Sequence, residues 1–151
     1  MKTKAGVHGK GEFDLHDLIA DVKNKASFDE AGAIAIFIGV VRGKTDDGGK
    51  VEKLELESYE KQADSILQRI CEDLNERDGI TDVQIHHLLG EFRVGEDLVY
   101  TLVAGAHRRE VFSTLIEAVS RFKSKAPIFK KEYVLTDEGM KGSWKSEEEL
   151  Q

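Results

Sequence analysis

The chain has 151 residues, 40% hydrophobic and 34% charged, which suits one folded domain over residues 1–151 and excludes a disordered chain. Its formal net charge of −7 argues against general nucleic-acid binding. The longest apolar run, Ala31–Val41, holds two glycines and is too short to span a bilayer, and Met1–Lys10 lacks the apolar stretch of a secretory signal.

In chain order, Asp14–Lys23 reads as a short helix, with Asp14 as N-cap and Leu15, Leu18, Ile19 and Val22 on one face. Ala33–Val41 is apolar on both faces, the pattern of a central buried strand, and Gly39 within it marks a bulge or a close backbone approach. Gly43–Gly49 is a polar, flexible loop. Val51–Ser58 alternates, with Leu54 and Leu56 inward. Tyr59–Arg77 is helical, with a stripe of Ala63, Ile66, Leu67, Ile70 and Leu74, and Asp78-Gly79 ends it. Thr81–Leu89 reads as a strand with Val83, Ile85, His87 and Leu89 on one face. Gly90–Glu96 reads as a turn region with a short extended piece, and Leu98–Gly105 as an apolar strand. His107–Ser124 is a second long helix, with Val111, Phe112, Leu115, Val119 and Phe122 inward. Pro127 fits its exit, Ile128–Leu135 is a last strand, and Lys145–Gln151 is a charged tail expected to fray. Strand pairs with helices between them predict an α+β domain with a mixed or antiparallel sheet and two long helices. Neither a Walker A nor a GxGxxG sequence is present, so a nucleotide-binding doubly wound fold is not expected.

The one cysteine, Cys71, permits no internal disulfide and points to a reducing, cytoplasmic setting. It lies beside a helix stripe without a neighbouring base, so it reads as inert. One cysteine and five scattered histidines supply no four-ligand zinc set. The basic cluster between His107 and Lys131 stands out against the acidic background. His107-Arg108-Arg109 opens a helix, where acids would suit the dipole better. The cluster is therefore either an anion site or a set of solvated charges. Lys123 fits a helix-end cation. Lys130 and Lys131 must face opposite sides of their strand, one with Ile128 and the other with Phe129, and the one on a half-buried face needs a partner such as Glu132 or a ligand. Arg42 sits at a strand end, where an ordinary surface charge is also a sufficient account. His87, on an apolar face, reads as a satisfied core histidine.

Five segments in order resemble the molybdopterin synthase large-subunit family. They are Gly32-Ala33 through Gly39-Val40-Val41-Arg42; Leu54-Glu55-Leu56-Glu57-Ser58-Tyr59; His87-Leu88-Leu89-Gly90-Glu91-Phe92 with Val94-Gly95-Glu96; Ala106-His107-Arg108 with Phe112; and Lys123 through Ala126-Pro127-Ile128-Phe129-Lys130-Lys131-Glu132, closing on Gly142-Ser143-Trp144. Together they run from about Ala31 to Trp144. Leu88 stands where the family usually has arginine and Phe129 where it often has tryptophan. The first thirty residues match poorly and imply nothing.

The resemblance implies an α/β-hammerhead type of fold and a sulfurtransferase. Family members are homodimers flanked by two copies of a small ubiquitin-like subunit, forming a heterotetramer. That subunit's Gly-Gly C-terminus carries a thiocarboxylate, and the substrate is cyclic pyranopterin monophosphate, which gains two sulfurs to become the dithiolene of molybdopterin. By the family pattern Arg42, His107 and Arg108 would hold phosphate and pterin. Lys123 and Lys130 would flank the reacting centre as catalytic residues, and Glu132 would lie in the same substrate pocket. The sulfur nucleophile belongs to the partner, so none is required of this chain, and the resemblance implies no metal or bound organic cofactor on the large subunit itself. Two other readings compete: a non-catalytic module that binds the tail of a ubiquitin-like protein without needing the phosphate cluster, and an unrelated phosphate-ester enzyme, which would bring its own nucleophile or metal ligands.

Overall fold

The computed structural model describes residues 5–12 and 14–145. Its elements are β1 (Gly6–Gly9), α1 (Leu15–Lys23), a 3-10 turn (Ala26–Glu30), β2 (Ala33–Val40), β3 (Lys50–Ser58), α2 (Glu60–Asn75), β4 (Ile80–Arg93), β5 (Asp97–Gly105), α3 (Arg108–Lys125), β6 (Ile128–Thr136) and β7 (Gly139–Lys145). The strands order as β2-β5-β4-β3-β6-β7, and β1 joins β4. Only the β1–β4 pair is parallel among these ladders. The α+β class and the two long helices are as expected.

Helix positions follow from caps and stripes. The Asp14 carboxylate accepts from the Asp17 N–H at 3.0 Å, satisfying one orphan donor of α1. Leu18 and Val22 of that helix are buried, as are Ala63, Leu67, Ile70 and Leu74 of α2. Helix α3 buries Val111, Thr114, Ala118 and Phe122, whereas Phe112, expected inward, is 57% exposed. The apolar stripe of α3 is therefore rotated from the one read off the sequence.

Strand β4 is longer than the expected Thr81–Leu89. It runs on to Arg93, through residues assigned to a turn, and the turn is confined to residues 94–96. Its first half pairs with β5, residues His86–Leu89 pair with β1, and Gly90–Arg93 pair with β3. Gly90 has φ +126°, where the strand passes from one set of neighbours to the other. Alternate β4 residues serve different layers. Gln84 meets Asp21 of α1, and His87 meets Phe122 of α3.

Two further expectations change. The sequence predicts a central strand over Ala33–Val41, but among the described residues β2 is an edge strand that pairs with β5 alone, leaving Ile38 40% and Val40 48% exposed. The bulge at Gly39 is present, and a Cβ there would meet Val99 Cγ1 at 2.6 Å. β1, the 3-10 turn and β7 were not anticipated. Lys145, the first residue of the expected frayed tail, closes β7, while residues 146–151 lie outside those described.

A buried polar chain ties the N-terminal strand to this frame. The Gln84 amide nitrogen donates to Asp21 Oδ2 and Asp82 Oδ2, both at 2.9 Å, and Lys25 donates to Asp82 Oδ1 at 2.9 Å. Gln84 Oε1 is thus the acceptor for His86 Nε2 at 2.8 Å, which leaves His86 Nδ1 to accept from His8 Nε2 at 3.1 Å.

Gly90→Ala tests the β4 crossing. A Cβ at Gly90 has only Lys10 Cβ near it, at 3.8 Å, so the cost comes from backbone conformation rather than crowding. Urea unfolding of the variant is expected to show a loss of about 1–3 kcal/mol.

Candidate active site

The inner face of β6 is set by register. Lys130 stands opposite Leu56 and Glu132 opposite Leu54, and both leucines are buried. Lys130 therefore shares the side of Ile128. Lys131 lies on the other face, its Nζ 5.3 Å from the Tyr133 ring centroid and 5.6 Å from that of Trp144. A cavity of about 830 Å³ opens on the inner side. It brings together Arg42, Lys123, Lys130 and Glu132, four of the six residues that the sequence singled out. Lys123 reaches it from the last turn of α3, with Nζ 5.9 Å from the Phe37 ring centroid.

Arg42 arrives from the end of β2. The chain there is held to the β4–β5 turn by Val41 N–H to Glu96 O (3.1 Å) and Gly95 N–H to Val41 O (2.9 Å). The Arg42 side chain is 72% exposed and pairs with Asp46 at 3.2 Å. The loop that carries Asp46 is hydrogen-bonded rather than loose. Thr45 N–H donates to Gly49 O at 2.9 Å, Gly49 N–H donates to Thr45 Oγ1 at 2.7 Å, and the Thr45 hydroxyl donates to Asp47.

The cavity wall carries five cations (Arg42, Lys44, Lys123, Lys130, Lys145) against three carboxylates (Asp46, Asp47, Glu132). A local excess of positive charge in an acidic chain suits an anionic ligand. Sequence reading gave no role to Lys44, Lys145, Asp46 or Asp47, whose placement depends on the loop and on β7.

His87 is a buried core residue, as read from the sequence, and it also lines this cavity. Its Nδ1 lies 3.2 Å from Leu88 O, and its ring meets Phe122 edge-on at 5.9 Å. Burial, then the nearby Lys130 charge, push its pKa down to about 3; the Leu88 carbonyl opposes them, and Lys123 adds the smallest push downward. The imidazole is therefore neutral. Burial likewise pushes the Cys71 thiol up to about 12, so it is inert, as expected.

His107 and Arg108 lie elsewhere. They border a separate hollow of about 500 Å³ with Gly32, Ala33, Ala106, Arg109 and Glu110. Ala33 pairs with Gly105 at one end of β2 and Val40 with Asp97 at the other. Seven residue steps along a strand separate the two places by roughly 23 Å. One copy of the chain does not unite the His107–Arg108 pair with the Arg42–Lys130 cavity.

The chain matches the family model described as "MoaE protein" over residues 9–125. The match reaches into the first thirty residues, to which the sequence reading gave no weight, and stops before β6. A protein named as a molybdopterin synthase catalytic subunit, from Pyrococcus abyssi, is 37% identical over 91% of this chain and 89% of its own length. A probable molybdopterin synthase from Haloferax volcanii is 44% identical over 72% of the chain, but the chain spans only 41% of that protein. Among solved structures, molybdopterin synthase from Staphylococcus aureus superposes with a TM-score of 0.82 at 25% identity, covering 97% of this chain and 99% of its own. A complex of subunits 1 and 2 of molybdopterin-converting factor from Helicobacter pylori gives a TM-score of 0.68 at 22% identity, covering 90% and 87%.

The buried histidines set an acid limit on stability. Burial also brings the His86 pKa down to about 3, helped by His8 and Lys25. Both rings stay neutral in the fold but take up a proton on unfolding once pH falls below about 6.5. The unfolded state then binds more protons, so stability is full above that pH and declines as pH drops toward 3. Urea unfolding between about pH 7 and about pH 5, above the carboxylate range, is expected to lose up to about 1.4 kcal/mol per pH unit for each ring.

Proposed function

The chain belongs to the MoaE protein family, and on that premise we propose that it is the catalytic subunit of a molybdopterin synthase. In this reading it transfers sulfur from the C-terminal thiocarboxylate of a small ubiquitin-like subunit to cyclic pyranopterin monophosphate. The observation that carries the reading is the cavity in which Arg42, Lys123, Lys130 and Glu132 converge, with a surplus of cations in a chain of net charge −7. Both ligands are anions, one a cyclic phosphate and the other a peptide thiocarboxylate. Arginine suits the phosphate because its planar fork bonds two oxygens at once. Lys123 and Lys130 act at the carbon under attack as point charges and proton carriers. Asp46 holds Arg42 at 3.2 Å, and an incoming phosphate takes over that pairing. The attacking sulfur comes from the partner, which fits the inert Cys71. That cysteine also suits a reducing, cytoplasmic setting, and no described helix is long and apolar enough to cross a membrane.

His107 and Arg108 enter this scheme through a second copy. Strand β2 is a sheet edge with exposed Ile38 and Val40. Two copies joined antiparallel along β2 about a two-fold axis set the Ala33 end of one beside the Val40 end of the other. The second copy's His107 and Arg108 then approach the first copy's Arg42. The homodimer completes the phosphate site, and a small subunit at each cavity makes a heterotetramer. The Helicobacter pylori two-subunit complex supports the idea of such a partner.

Single-turnover conversion of the pyranopterin with preformed thiocarboxylate partner tests the lysines. Lys123→Ala and Lys130→Ala are each expected to lose about 100- to 10,000-fold in rate, while the exposed Lys125→Ala stays near the parent. Near-parental rates in both cavity variants would overturn the catalytic assignment.

Subunit mixing tests the shared site. Arg42→Ala and His107→Ala dimers are each expected to be inactive. After exchange, half the dimers are mixed and each holds one intact site, so roughly a quarter of parental activity returns. Failure to recover activity, with exchange confirmed by mass spectrometry, would place both residues in a site built by one copy.

A further inference from the structure

The cavity holds a buried group to which the sulfur-transfer scheme assigns no task. His87 is 2% exposed, yet it forms part of the wall beside Phe122, Lys123 and Lys130. Its Nδ1 sits 3.2 Å from a backbone carbonyl, which can only accept, so that nitrogen carries the hydrogen. In the neutral ring Nε2 is then an acceptor. The edge-on packing against Phe122 fixes the plane of the ring. An acceptor embedded in a wall of ammonium groups has two candidate donors. Lys123 lies over the Phe37 ring, and of the two lysines Lys130 acts more strongly on His87.

We infer that His87 is the positioning residue for Lys130, its Nε2 accepting one hydrogen bond from the ammonium and aiming the remaining N–H groups at the ligand. A lysine ammonium has three equivalent donors on a flexible stem, so without a fixed acceptor its protons have no preferred direction. Their strands flank β3 on either side: Lys130 of β6 pairs with Leu56, and Leu56 pairs with Gly90, three residues beyond His87 on β4. The donor and its acceptor are thus held by the rigid part of the fold, which is what a site of defined geometry needs. The kinetic consequence rests on the proposed sulfur-transfer function, but the contact itself does not.

The expected signature is a change in Lys130 titration. A neutral acceptor favours the charged lysine, so replacing it by an apolar ring lowers the Lys130 pKa. The other charged groups around Lys130 are unchanged by such a replacement: Glu132 on β6, Lys123 on α3, Lys145 on β7, and Arg42, Lys44, Asp46 and Asp47 in and beside the loop. The shift then reports the loss of His87 alone.

The test compares the parent with His87→Phe, which keeps the packing volume, and His87→Gln, which restores an acceptor. Lysine side-chain NMR on the full chain, with the Lys130 signal assigned by its loss in Lys130→Arg, gives the titration directly. Thermal melts verify folding. His87→Phe is expected to lower the Lys130 midpoint and His87→Gln to return it toward the parent. In single-turnover assays with the thiocarboxylate partner, the basic limb of the pH–rate profile of His87→Phe should move to lower pH. Its rate should fall about tenfold or more with half-saturation by the partner unchanged, as expected for a misdirected proton carrier. An unshifted Lys130 midpoint in folded His87→Phe would overturn the inference, as would a His87→Gln midpoint displaced as far as that of His87→Phe. A shifted midpoint in a chain whose parent transfers no sulfur would uphold the positioning contact and defeat the proposed function instead.

Discussion

The fold depends on one strand that must satisfy two sets of neighbours. β4 hydrogen-bonds to β5 along its first half and to β3 along its last residues, with β1 alongside the middle, and most of it is buried. A buried strand must pair its backbone groups almost completely, so the positions of β5, β3 and β1 are all fixed by its path. β3 in turn places β6, and β6 places β7. The cavity lies between elements from both halves of this arrangement. β2 and α3 belong to the β5 side, and β6 to the β3 side. A shift in β4 would therefore move Lys123 and Lys130 relative to each other, although neither lies on that strand.

Charge is arranged on the same principle of separation. The chain carries a net charge of −7, yet five cations face a single hollow. Their mutual repulsion is relieved by Asp46, Asp47 and Glu132 and by solvent. His87 could have added a further positive charge, and burial prevents that. On the opposite side of β4, Asp21 and Asp82 neutralise Lys25 and orient Gln84, so that the two faces of the strand carry unrelated polar systems.

Much of this was legible in the sequence, for identifiable reasons. The three helices were found because capping and 3.6-residue periodicity are local properties, and the Asp14 cap is a direct instance. β2 was found but misplaced. A strand apolar on both faces can lie in the middle of a sheet or at an edge awaiting cover from another molecule, and periodicity cannot separate these. β7 was missed because GMKGSWK has two glycines and little alternation; it is a strand because β6 offers it a free edge. Arg42, Lys123, Lys130 and Glu132, grouped with His107 and Arg108 by the family resemblance, line one cavity. The distance of His107 and Arg108 was not legible, because order along a motif carries no information about which end of a strand a residue occupies. His87 was read as core, and it is, but burial at a cavity wall looks the same in sequence as burial anywhere else.

Lys130 and Lys131 are chemically identical neighbours, yet one faces the cavity and the other lies between Tyr133 and Trp144. Only the pleat of β6 distinguishes them. Exchanging Lys131 for another residue leaves the cavity composition intact. Adding or removing a single residue between Pro127 and Lys130 does not: if the β3 pairing is kept, it turns every later side chain of β6 over. The segment is thus more tolerant of changes in spelling than of changes in length, and relatives that diverge freely in its outer residues should still agree on the number of residues between the end of α3 and the inward lysine.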